Sequence, residues 1–276
     1  PRERGLATGL FSAGGGVGAT TALLLLPIMA QHLGWRAGYA LLAVLVTWPL
    51  PRHFTTHLPG DPGGDTGVYV WNAWVFHDAV TRGRWPLATD RVLAFTGGAD
   101  LSLHNYSIAS NLLALPFVDL VGIIGAFNIA FALSVLLTGL ATSALARRLG
   151  LPGLPALIAG AAFAASPTLV AKGTAHFSLV HAAPLPLFLY TLINVLERQR
   201  ARDAVAMGLV VAWAAYADAY YPVYCVLMGL VLVATRFVVP IWTRRTSIRA
   251  QRARWILGTI GALLAVGVLA RLEPAP

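Results

Sequence analysis

Ile123-Ile124-Gly125-Ala126-Phe127-Asn128-Ile129-Ala130-Phe131-Ala132-Leu133-Ser134-Val135-Leu136-Leu137-Thr138-Gly139-Leu140-Ala141-Thr142-Ser143-Ala144-Leu145-Ala146, followed at once by Arg147-Arg148, decides the fold class. No charge interrupts residues 123–146, and a helix needs about 20 apolar residues to cross a bilayer core. In lipid only helices and closed barrels satisfy their own backbone hydrogen bonds, and this run lacks the alternation of a barrel strand. The paired arginines mark its end as cytoplasmic. The stretch predicts an all-α protein, a polytopic transmembrane helical bundle.

Working outward, the rest of the chain reads the same way. Of 276 residues, 57% are hydrophobic and 11% charged, less than half the roughly 25% charge of a soluble domain. Residues 5–30 also carry no charge. We draw about eight spans, at 6–29, 37–51, 123–146, 154–172, 178–196, 204–220, 221–240 and 255–270. Between the second and third lies a long loop expected to bear interfacial helices, its segment 52–104 rich in Pro, Gly, Asp, His and Trp. It runs on through 105–121, apolar but holding Pro116 and Asp119, which reads either as a span or as a helix against the interface.

The net charge of +9 gathers in short arginine clusters: Arg147-Arg148, then Arg198, Arg200 and Arg202, then Arg244 to Arg254. That pattern sets membrane orientation and does not point to nucleic acid. It makes Lys172–His181 and Asp218–Pro222 external turns, and loop 52–122 is expected on the same side. The single cysteine, Cys225, sits in an apolar run and reads as packing. The chain opens on Pro1 and stops shortly after an apolar run, which reads as a fragment.

From about residue 40 to 240 the order of features resembles a bacterial GT-C type membrane glycosyltransferase. The resemblance rests on Thr47-Trp48-Pro49-Leu50 ending a span, then His57-Leu58-Pro59-Gly60-Asp61-Pro62-Gly63-Gly64-Asp65, then the aromatic helix Val70-Trp71-Asn72-Ala73-Trp74. Further on come Phe127-Asn128-Ile129-Ala130, Ala164-Ala165-Ser166-Pro167, Gly173-Thr174-Ala175-His176, Pro184-Leu185-Pro186-Leu187 and Tyr216-Ala217-Asp218-Ala219-Tyr220-Tyr221. The resemblance implies a multi-pass protein of the bacterial inner membrane that moves a sugar from a polyprenyl-phosphate donor to an extracytoplasmic acceptor. Its partners would be membrane lipid and that donor, with no nucleic acid. No cofactor is expected, and the resembling families differ over a divalent metal.

Residues 1–43 resemble something else. Arg2-Glu3-Arg4-Gly5, a Gly-rich span and His32-Leu33-Gly34-Trp35-Arg36 look like a segment of a major facilitator superfamily transporter. That resemblance places Arg36 outside, whereas a glycosyltransferase first span needs it inside. The expected division is a transporter-like span at 1–36 and a glycosyltransferase-like region at 37–276. The alternative function is a transporter of the facilitator type or a lipid-linked sugar flippase.

Sugar transfer at the membrane surface needs a base for the acceptor hydroxyl and groups that hold the leaving phosphate. Asp65 is the first candidate base; by resemblance it takes the place of the family's catalytic first-loop Asp. Its competing reading is a helix N-cap before Thr66. Asp61 is the second candidate. His104, Asn105, Lys172, His176, Asp218, Tyr220 and Tyr221 are the candidate substrate-binding residues, gathered on the expected external face. Asp218 reads equally as a solvated turn residue, and Lys172 as a side chain that snorkels to the headgroups.

Two motifs carry less. Gly14-Gly15-Gly16-Val17-Gly18 lacks the Gly-Lys-Ser/Thr of a phosphate loop and reads as small-residue helix packing. His53 and His57 lie four apart with Asp61 near, a metal spacing on a helix, but Pro51, Pro59 and Pro62 argue against a helix there. No metal ligands are therefore assigned.

Overall fold

The computed structural model describes residues 32, 35–48, 50–60, 64–92, 97–102, 104, 106–173 and 176–243. The expected spans at 6–29 and 255–270, the glycine motif and the transporter-like front up to residue 31 lie outside them. So do the candidate residues Asp61 and Asn105. The described chain is all-α apart from one small ladder. It divides into two units, residues 1–183 and 184–276.

In the first unit the helices are α1 (Trp35–Val46), α2 (Thr66–Thr81), α3 (Ile108–Ala114), α4 (Val118–Arg148), α5 (Gly153–Ala164) and α6 (Pro167–Lys172). The deciding stretch is the centre of α4, and it packs most extensively on α5. Small side chains let the two backbones approach: Gly139, Ala141 and Ala146 of α4 and Ala156, Gly160 and Ala161 of α5 are buried. The polar residues of α4 are spent locally. The Ser134 hydroxyl donates to the Ala130 carbonyl at 2.7 Å, Thr138 to the Ser134 carbonyl at 2.7 Å, and Ser143 crosses to the Ala156 carbonyl at 2.6 Å.

The turn into α5 follows from one glycine. Gly150 stands at φ 96°, left-handed backbone that lets the Leu151 amide donate back to the Ala146 carbonyl at 3.1 Å. A second glycine sets the other end. At Gly122, φ 74° and ψ 170° interrupt the helical course, a conformation that a side chain strongly disfavours. Residues 108–121 thus form a separate piece ahead of the deciding stretch, with Leu112 and Leu120 exposed.

Other expected spans are shorter or broken. The run 154–172 is helical on either side of Ser166-Pro167, because Pro167 starts a new helix, α6. In 178–196 the first residues are a 3-10 turn, Phe177–Val180, and α-helix begins only at Pro184. Two helical stretches among the described residues, Ile108–Arg148 and Gly153–Lys172, are long and apolar enough to cross a membrane.

The segment 52–104 carries helix, as expected of it. The aromatic stretch lies within α2, and strands β1 (Ala88–Thr89) and β2 (Ala99–Asp100) pair antiparallel behind it. Asp78 near the end of α2 gathers Arg82, Arg84 and Arg91 at 2.8, 2.6 and 3.4 Å, while Arg84 also reaches Asp90 at 3.1 Å. Burial pushes the Asp78 carboxyl up, but the Arg91 hydrogen bond and the charges of Arg82, Arg91 and Arg84 outweigh it and hold it below the usual carboxylate range. These arginines fasten residues 82–91 to α2.

The turn before α2 holds no continuous helix, as its prolines lead one to expect. A 3-10 turn spans Leu50–His53, and the His57 amide donates to the His53 carbonyl at 2.9 Å. Pro51 lies inside the 3-10 turn, where no intrahelical N–H is needed, and no helix continues through residues 54–59.

The second unit holds α7 (Pro184–Arg198), α8 (Ala201–Ala217) and α9 (Tyr220–Thr243). All three pack on one another. Gly229 of α9 lies against the Phe188 ring of α7, where an added methyl would sit 3.3 Å from Cζ. The Arg236 guanidinium meets Glu197 at 2.9 Å. Beyond these contacts, Val223, Val226, Leu227, Leu230 and Val231 of α9 are exposed, as are Val205 and Leu209 of α8.

Candidate functional site

Asp65 stands immediately before α2, in the N-cap position, but its side chain makes no capping hydrogen bond. Its carboxylate turns to His176 instead: Oδ2 lies 3.2 Å from Nδ1 of the imidazole. The capping reading of Asp65 is thereby corrected. Both side chains are half exposed, at 50% and 48%, so the pair faces outward and can be reached. A carboxylate only accepts, so Nδ1 of His176 carries the hydrogen between them, and Nε2 and Oδ1 are left for other partners.

What holds the pair lies beneath it. Tyr69 follows Asp65 by one helical turn, and its hydroxyl shares a hydrogen bond of 3.0 Å with Ser178, two residues beyond His176. Tyr69 and Ser178 are buried. Between them Phe177 enters the core, its ring 4.4 Å from Phe127, 5.7 Å from Phe131 and 5.7 Å from Tyr69. Gly173 lies so close to Phe131 that a Cβ would stand 2.9 Å from its ring. The backbone carrying His176 is thus seated on α2 and α4 by both a polar and an aromatic contact.

The approach to Asp65 is fixed in the same manner. Asn128 of α4 is buried, and its amide nitrogen donates to the carbonyls of Phe54 and His57 at 2.7 and 2.8 Å. The Thr66 hydroxyl, next to Asp65, donates to the Pro59 carbonyl at 3.0 Å. Asn128 was legible as part of a motif but not as a clamp. Tyr69, Ser178 and Thr66 carried no signal beyond the helical spacing that puts Tyr69 under Asp65.

Two further candidates join this region. Lys172 ends α6, and its carbonyl accepts the His176 amide at 2.8 Å, so the two belong to one turn. His104 is exposed and stands edge-on to Trp71 of α2, with ring centres 6.1 Å apart. Trp71 is six residues past Asp65, which is about 9 Å along a helix.

Asp218, Tyr220 and Tyr221 lie in the second unit. Asp218 adopts extended backbone after α8, and its Oδ1 accepts the Tyr220 amide at 2.8 Å. One carboxylate oxygen thus serves as the cap that starts α9, the local role that Asp fills well. Tyr220 is exposed and stacks on Tyr224, with ring centres 6.4 Å apart, while Tyr221 is buried.

Among the described residues no group of three or more His, Cys, Asp and Glu side chains is placed to hold a metal. Compared with known proteins, the chain matches no family model, no curated protein and no solved structure.

Proposed function

We propose that this chain is part of a GT-C type glycosyltransferase, set in a bacterial inner membrane by several spans. It would move a sugar from a polyprenyl-phosphate donor to an acceptor at the external face. The observation that carries the reading is the Asp65–His176 pair, an accessible carboxylate held by an imidazole from a distant part of the chain. The membrane setting draws support from the two long apolar helices and from the exposed apolar side chains of α8 and α9, which water does not favour.

In this reading Asp65 takes the proton of the acceptor hydroxyl as the acceptor oxygen bonds to the anomeric carbon. The bond from that carbon to the phosphate oxygen breaks, and polyprenyl phosphate leaves with the electron pair. His176 orients the carboxylate by donating to Oδ2, which leaves Oδ1 for the hydroxyl. Lys172, whose carbonyl accepts the His176 amide, and His104, edge-on to Trp71, would offer charge and hydrogen bonds to the phosphate and acceptor. Asp218, Tyr220 and Tyr221 are proposed as substrate-binding residues within the second unit.

The rival transporter reading wants polar groups midway along spans around a cavity. The polar cluster of that kind, Ser134, Thr138 and His181, is buried and hydrogen-bonded, with Ser134 2.9 Å from His181 Nδ1. The enzyme reading is tested by the transfer assay on membranes, with radiolabelled polyprenyl-phosphate sugar. Asp65→Asn should lower transfer by about a hundredfold or more, the scale of losing a positioned general base. Near-normal transfer by a well-expressed variant would exclude Asp65 as the base.

A further inference from the structure

A single backbone turn, closed by the His57 amide on the His53 carbonyl, places two imidazoles side by side. The rings of His53 and His57 have centres 4.5 Å apart and are inclined at 44°, and both residues are exposed. A divalent metal held at about 2.0–2.1 Å by one nitrogen of each ring would put the ring centres about 4.5–5.3 Å apart, for angles between square and tetrahedral. The observed separation lies at the square end of that range.

The surroundings prepare one of the two ligands. The Thr56 hydroxyl donates to the His53 carbonyl at 3.3 Å and lies 2.9 Å from Nδ1 of His57. With its hydrogen on the carbonyl, the hydroxyl meets His57 through a lone pair. In the tautomer that protonates Nδ1, this contact leaves the Nε2 lone pair for a metal. A hydrogen bond of this kind from the non-ligating ring nitrogen fixes tautomer and orientation in metal sites. The backbone is fixed as well, because the buried Asn128 amide holds the carbonyls of Phe54 and His57.

We propose that His53 and His57 form a two-imidazole site for a divalent transition metal of the zinc, cobalt, nickel and copper group, with water or an anion filling the remaining positions. Imidazole donors suit these ions and do not suit calcium or magnesium. The inference stands apart from the transferase reading, since it rests on neither Asp65 nor His176.

The experiment uses the full chain in detergent, purified through a tag free of histidine. Zinc affinity is read by competition with a chromophoric chelator, and Co²⁺ absorption reports the ligands. The expected result is one zinc equivalent whose affinity falls about tenfold or more in His53→Ala, in His57→Ala and in Thr56→Val, the last on the scale of losing a supporting hydrogen bond. His53→Asn and His57→Asn, which keep side-chain polarity at these exposed positions, should lose affinity equally. His104→Ala should bind as the parent does. A parent chain that takes up no zinc at millimolar concentration would overturn the proposal. So would a folded His53→Ala/His57→Ala double variant that binds zinc as tightly as the parent.

Discussion

Nδ1 of His176 lies 3.2 Å from Oδ2 of Asp65, and one turn below them the Tyr69 hydroxyl lies 3.0 Å from that of Ser178. The same two segments thus meet twice, once at the accessible surface and once in the core. The lower contact fixes how far the upper pair can separate. Within the upper pair the imidazole is the donor and the carboxylate the acceptor.

Replacing His176 separates orientation from proton transfer. If the imidazole only orients Asp65, His176→Gln, whose amide also donates, should retain far more transfer activity than His176→Ala. Rates of the two variants on the same membrane preparation check this. Equal, near-complete loss in both would move the proton-accepting role from Asp65 to His176.

Tyr69→Phe keeps the ring against Phe177 and removes only the hydroxyl. It should lower stability by about 1–2 kcal/mol, the usual cost of losing a buried hydrogen bond and stranding its partner. Ser178→Ala should cost a similar amount, and the double variant less than the sum, because both remove one interaction. Thermal unfolding in detergent measures the cycle. Additive losses would show that the two hydroxyls act independently.

The all-α class was legible because long uncharged runs state it without tertiary information. Where those runs break was less so. Pro167 lies inside the apolar run 154–172, yet as the first residue of a helix it costs nothing in hydropathy, so the division into α5 and α6 is invisible to a window average. The interruption at Gly122 depends on a backbone angle that a glycine permits but does not announce. Asp65 and His176 were each legible from their loops as chemically able residues. Their pairing was not, since it arises from contacts between segments distant in the chain. Asn128 shows the same limit, as its amide serves carbonyls of a turn far earlier in the sequence.

Asn128→Ala should free the carbonyls of Phe54 and His57 that its amide now satisfies. We expect a loss of about 1–3 kcal/mol, on the scale of leaving buried polar groups without partners. The turn at residues 53–59 should become sensitive to limited proteolysis while helices α4 and α5 stay protected. Unchanged cleavage in that turn would contradict the clamp.

The arginine cluster predicts an acid-sensitive loop. Asp78 has a folded-state pKa below its ordinary 3.8. Its contribution to stability is therefore present above that value and is lost as pH falls through the folded one. Protection of residues 82–91 against hydrogen exchange should hold from neutral pH down to about 4 and then decline. In Asp78→Asn the protection should be low already at neutral pH, with little further change on acidification. A parent chain whose protection declines with rising pH would reverse the sign and contradict this account.

The proposed transferase requires an accessible Asp65 at the external membrane face, which labelling of a single cysteine reports. Asp65→Cys is placed in a chain carrying Cys225→Ser, and intact cells are treated with a membrane-impermeant maleimide. The account predicts labelling at position 65 without permeabilisation. Labelling that appears only after the membrane is opened would put the site on the cytoplasmic side and contradict it.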